Sequence, residues 1–137
     1  MIRVLIFGAF DLLHEGHKFF VQKAREYGDY VIASVARDGY IRRFKGRDPA
    51  HPEKERVKAL QESGFVDAVC LSDEQIGSFD VIRRENPDVI CLGYDQESLR
   101  NSLEYWLASN AVKIKVFVLP PFEEKTYKTS FLIEKMK

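Results

Sequence analysis

The sequence is short of the features that mark special environments. It has two cysteines, Cys70 and Cys91, each alone in an apolar run with no second Cys or His at metal-ligand spacing. A disulfide framework is therefore excluded, and both read as reduced core residues of a cytoplasmic protein. Net charge is also absent, with 21 Lys+Arg standing against 21 Asp+Glu. Bulk electrostatic attraction to nucleic acid or to an acidic membrane needs a basic surface, so neither partner is expected and any anion site must be built from placed groups. No apolar run reaches the roughly 18 residues of a membrane span. Met1 leads at once into Ile2 to Phe7, too short for a signal-peptide core and without a small-residue cleavage site. Repeats, low-complexity tracts and linkers are missing too. At 137 residues the chain reads as one domain, 1–137, able to bury one core unaided.

What is present is an alternation. Val4 to Phe7, Tyr30 to Ala36 and Asp88 to Leu92 are short and almost wholly apolar. Continuous hydrophobicity is what strands covered on both faces show. Two β-branched runs, Val66 to Leu71 and Val112 to Leu119, complete five expected strands. Between the first two, Phe20, Val21, Ala24 and Tyr27 form one apolar helix face, and Gly28 reads as its C-terminal stop. Pro52 opens another helix with Glu53 and Glu55 in its first turn, Phe79 to Glu85 forms a further one ended by Pro87, and Gln96 to Ala108 another. A short helix is expected after Ser130. Lys45 to Pro52 reads as a mobile loop. The fold class is α/β: a Rossmann-like, doubly wound, open parallel five-stranded sheet with helices on both faces. Ligands in such sheets bind at the carboxyl ends of the strands.

Gly8-Ala9-Phe10-Asp11-Leu12-Leu13-His14-Glu15-Gly16-His17 lies at that point. It combines a glycine after the first strand with a turn into a helix and two imidazoles three residues apart on the first helical turn. A helix N-terminus offers unpaired N–H groups to a phosphate, and two histidines add donors. His-Glu-Gly-His is not the zinc motif His-Glu-x-x-His, because the second His comes one residue early. No zinc site is expected from it.

The run Gly8 to His17 resembles the Gly-x-Phe-Asp-x-x-His-x-Gly-His signature of the cytidylyltransferase-like nucleotidyltransferases, matching at Gly8, Phe10, Asp11, His14, Gly16 and His17. Gly93-Tyr94-Asp95-Gln96 and the Thr129-Ser130 helix start are similar to elements of the archaeal-type FAD synthetases. The Arg-Thr-x-Gly-Ile-Ser-Thr-Thr run of the similar glycerol-3-phosphate cytidylyltransferases is replaced by Glu123 to Ser130.

The resemblance implies transfer of AMP or CMP from ATP or CTP to a phosphate monoester, FMN above all, with release of pyrophosphate. His14 and His17 are the implied catalytic donors. Ala9, Phe10, Glu15 and Gly16 complete the implied nucleotide-binding turn, the backbone N–H groups of Ala9, Phe10 and Gly16 helping on phosphate. Lys45 and Arg56 sit where the family carries its basic residues and would neutralise the β- and γ-phosphates, with Lys128. Asp95 would accept from base or ribose, Thr129 and Ser130 would cap a helix and touch phosphate, and Tyr127 would stand near the nucleotide. Tyr94, Tyr105, Trp106, Phe122 and Tyr127 are the candidate walls for a flavin ring. Mg²⁺ is expected on the triphosphate, and no resident metal site is assigned. Small members of the family are commonly dimers, so a homodimer is implied. Two alternatives stand beside FMN: a glycerol-3-phosphate or sugar-phosphate acceptor, and a nucleotide-binding module without turnover.

Overall fold

Residues 1–122 are described by the computed structural model of the chain. The first strand, β1 (Arg3–Gly8), alternates its side chains between two cores: Val4 and Ile6 join one cluster, and Leu5 and Phe7 join the other. Both faces are covered, and this is why the run carries no polar residue between Val4 and Phe7. Helix α1 (Glu15–Ala24) and β2 (Tyr30–Val35) follow, then α2 (Asp38–Lys45), α3 (Glu53–Ser63), β3 (Ala68–Leu71), α4 (Asp80–Glu85), β4 (Val89–Leu92), α5 (Glu97–Ser109) and β5 (Lys115–Val118).

The strands run in the order β3-β2-β1-β4-β5, and every pairing is parallel. Val21 and Ala24 of α1 and Leu60 of α3 pack with Val4 and Ile6 on one face. Val81 and Ile82 of α4 and Leu103 and Leu107 of α5 pack with Leu5 and Phe7 on the other. Strand order reverses between β1 and β4, so the loops after these two strands diverge and leave a crevice. The expected α/β fold is the one observed.

Three local expectations change. Helix α1 ends at Ala24, and Gly28 lies beyond it: a Cβ there would stand 2.7 Å from the Ile2 carbonyl oxygen and 2.7 Å from Val4 Cγ2. Gly28 therefore serves the close approach of a turn to β1 and is not a helix stop. Tyr27, read as part of the helix face, lies outside the helix and stacks on Phe117 with ring centroids 4.4 Å apart. The segment after Lys45, read as mobile, is tied down. Asp11 accepts from the Ala50 N–H at 2.6 Å and the His51 N–H at 3.2 Å, and the His51 carbonyl accepts from Arg56 Nε at 2.9 Å.

Candidate active site

The turn after β1 is strained and braced. Phe10 (φ 51°) and Leu12 (φ 52°) flank Asp11 in left-handed conformations. Each costs a side-chain-bearing residue on the order of 1 kcal/mol. Burial of the Phe10 ring under His17 and the grip of Asp11 on Ala50 and His51 offset that cost. Those bonds also hold the Asp11 carboxyl below its ordinary range, against its burial.

His14 is the N-cap of α1 and His17 its third residue, and the two close a reciprocal capping box. The Gly16 N–H donates to His14 Nδ1 at 2.9 Å, and the His14 N–H donates to His17 Nδ1 at 3.2 Å. An Nδ1 that accepts carries no proton, so each neutral ring bears its hydrogen on Nε2. The ring centroids are 4.1 Å apart. Gly16 makes this possible, since a Cβ there would stand 2.6 Å from His14 Cε1. Burial above all, with the proximity of His14 and the charge of Lys45, brings the His17 pKa from 6.5 down to about 4 against the upward pull of Asp11. At neutral pH His17 is an uncharged donor.

These bonds revise the expected role of the turn's backbone. The Gly16 N–H is spent on His14, the His14 N–H on His17, and the His17 N–H on the His14 carbonyl at 3.0 Å. Three N–H groups at the start of the helix are thus spent within the cap, and the imidazoles present their Nε2–H groups in their place.

His14 and His17 line a cleft of 720 Å³, within the range of small-molecule sites. Ala9, Phe10, Gly16, Lys45 and Asp95 line it with them. Glu15 is exposed and does not line it. Arg56 is also absent from its walls. It is 1% exposed, and its guanidinium donates to the carbonyls of His51, Ala9 and Ala36 and to Asp38 Oδ1 at 2.7–2.9 Å. Four of its five donors are committed to the protein, so the expected contact with a triphosphate gives way to the role of a strut joining the loops after β1 and β2 to α2. Tyr127, Lys128, Thr129 and Ser130, with the helix expected after Ser130, fall outside the described residues.

Of the expected aromatic walls, Tyr94 and Phe122 line the cleft. Tyr105 and Trp106 line a separate hollow. Sequence reasoning passed over Gln96 as a brace. Its Oε1 accepts from the Gly93 N–H at 2.7 Å and its Nε2 donates to the Phe7 carbonyl at 2.9 Å, tying the ends of β4 and β1 together where the order reverses. It also passed over α2, although Tyr40, Ile41 and Phe44 fall at helical spacing and Gly46 closes the helix at φ 67°. That spacing and the basic last turn, Arg42, Arg43 and Lys45, were the available signal.

Among the described residues no three His, Cys, Asp or Glu side chains converge as metal ligands, and both Asp11 oxygens are engaged. The described residues do not form a cage for a resident cation. None of the described helices is long and apolar enough to cross a membrane.

The model of the cytidylyltransferase-like family matches residues 5–135. The chain belongs to that family. The FAD synthase of Pyrococcus abyssi is 38% identical over 136 residues, covering 98% of this chain and 92% of that protein. The FAD synthase of Methanococcoides burtonii is 41% identical over 116 residues, covering 85% and 79%. Among solved structures, a lipopolysaccharide core biosynthesis protein from Thermoplasma volcanium superposes with a TM-score of 0.81 at 30% identity, over 90% of this chain and 99% of that one. Pantothenate synthetase from Thermus thermophilus, with a TM-score of 0.59 at 14% identity, shares the fold alone. For a member of the cytidylyltransferase-like family, the cleft at the histidine turn is the place to seek nucleotidyl transfer.

Proposed function

We propose that the protein is an FMN adenylyltransferase, an FAD synthase. A phosphate oxygen of FMN attacks the α-phosphorus of ATP, the new P–O–P bond forms as the bond to the β-phosphate oxygen breaks, and FAD and pyrophosphate leave. The observation that carries this reading is the pair of imidazoles, each locked by a backbone N–H on Nδ1 and so presenting Nε2–H in one cleft. The near-complete coverage of FAD synthase relatives supports the choice of acceptor and nucleotide.

A phosphate monoester with a second pKa near about 6 is largely a dianion at pH 7, so the nucleophile needs no general base. Catalysis then consists of positioning and of stabilising charge on the phosphates. His14 and His17 donate to oxygens at the reacting centre. Lys45 lines the same cleft, its charge acts on His17, and it neutralises the triphosphate. Asp95 accepts from base or ribose. Lys128, Thr129, Ser130 and Tyr127 complete the nucleotide site in this reading. Mg²⁺ enters as the counter-ion of the triphosphate, and no step is routed through it. The enzyme works as a cytoplasmic homodimer with neither nucleic acid nor membrane as partner.

The test is a panel of ATP or CTP with Mg²⁺ and either FMN or glycerol 3-phosphate, read by chromatography of the nucleotide products. FAD from ATP and FMN is the expected outcome. CDP-glycerol from CTP, with no FAD, would replace this reading with the polyol one. Nucleotide binding without any pyrophosphate release would reduce the protein to a binding module.

A further inference from the structure

We infer that Phe44 of α2 and Ile76 of the segment between β3 and α4 form the platform for the ring system of the acceptor, and so determine acceptor specificity; the inference rests on FMN being that acceptor. β1 is the middle strand, and the cleft beyond its histidine turn draws its lining from several elements. The start of α5 and the segment before it contribute Asp95, Ser98 and Ser102. Helix α2 contributes Tyr40 and Phe44, and the segment before α4 contributes Ile76 and Phe79, the latter packed against Trp106 of α5. Phe44 and Ile76 are 52% and 44% exposed, large apolar groups left open to water inside a concave site. Exposed apolar surface gathered in a cleft marks a surface that a ligand covers.

The neighbours of Phe44 preset it. Tyr40, one turn earlier, lies with its ring centroid 4.6 Å away, and the Arg43 guanidinium lies 5.6 Å from the Phe44 centroid. Cations follow directly in the chain. Lys45, whose charge reaches His17, and Arg47 both line the cleft. An acceptor that joins a flat apolar ring to a phosphate dianion matches this order: phosphate between His17 and Lys45, ring outward along α2 on Phe44 and Ile76. A polyol phosphate would leave both side chains uncovered. The aromatic wall thus comes from the N-terminal half of the chain, in addition to Tyr94 and Phe122.

The test compares the parent with Phe44→Ala, Ile76→Ser and Phe44→Trp under steady-state turnover with ATP and FMN, with binding of FMN alone followed by quenching of its fluorescence. Phe44→Ala is expected to raise the KM for FMN about tenfold, in line with the loss of one aromatic stacking partner. The KM for ATP and kcat at saturating FMN stay within about threefold, and the quenching is lost. Phe44→Trp restores both KM and quenching, and Ile76→Ser moves the FMN KM in the same direction. A rise of twofold or less in Phe44→Ala and Ile76→Ser, or an ATP KM that climbs as far as that of FMN, overturns the platform while leaving FAD synthesis intact. A parent protein that makes no FAD overturns the proposed function itself.

Discussion

A backbone N–H donated to Nδ1 decides what each histidine of the turn can do. Neither ring is free to act as a base through that nitrogen, and both offer a hydrogen from Nε2. Loss of one preorganised donor to an oxyanion typically costs about 10² to 10³ in rate. His14→Ala and His17→Ala are each expected to lose at least that in kcat, with circular dichroism unchanged; turnover within tenfold of the parent in both would contradict the assignment. The low pKa of His17 adds a second expectation. The folded ring titrates at about 4 and the unfolded one near 6.5, so between those values the unfolded chain binds more protons. Stability from this group is complete above pH 6.5 and is lost as pH falls toward 4, by up to about 3 kcal/mol. Urea melts at pH 4.5 and 7 should show the loss in the parent and a smaller one in His17→Gln, whose side chain does not titrate.

Helix α3 shows how an element can be readable in outline and opaque in purpose. Glu53 and Glu55 were legible as acids complementing the start of α3. The structure gives Glu53 a further task that no spacing rule reveals: its carboxylate accepts from the Asp38 N–H at 2.9 Å at the start of α2, while Asp38 takes the Arg56 guanidinium at 2.7 Å. Arg56 looked like a phosphate ligand because it stands where the family carries a basic residue, and its burial is a tertiary outcome that position in the sequence does not encode. Removing a buried charge partner leaves an uncompensated carboxylate and unpaired carbonyls, so Arg56→Met should lower unfolding free energy by about 3 kcal/mol in denaturant melts. A variant as stable as the parent but with a raised KM for ATP would return Arg56 to the triphosphate. Gly28→Ala, forced against the Ile2 carbonyl and Val4, should cost about 1–3 kcal/mol in the same assay. No measurable loss there would leave Gly28 without a structural reason.

At the scale of the molecule, the five apolar runs and the helical segments between them led to a doubly wound parallel sheet, and the sheet led to its carboxyl edge. β1, β2 and β4 were legible because helices bury them and they carry their hydrophobicity almost without interruption, whereas the edge strands β3 and β5 are only partly covered and were legible as β-branched runs. The histidine turn was legible because six residues of a ten-residue run are spaced as the family spaces them. What stayed hidden were the contacts between segments distant in sequence: Gln96 on the Phe7 carbonyl, Asp11 on Ala50, and the flank of α2 and Ile76 that turns one edge of the cleft apolar. Such contacts depend on how loops meet across the strand order, and no local pattern encodes that. The central claim is that the imidazole pair of the β1–α1 turn assists the transfer of AMP from ATP to the phosphate of FMN. Its most direct test is the yield of FAD and pyrophosphate from ATP, FMN and Mg²⁺ by the parent and by His17→Ala. The account predicts the two products in equal amounts from the parent and at least about a hundredfold less of both from the variant. Pyrophosphate without FAD from the parent, or FAD at undiminished rate from a folded His17→Ala protein, would contradict it.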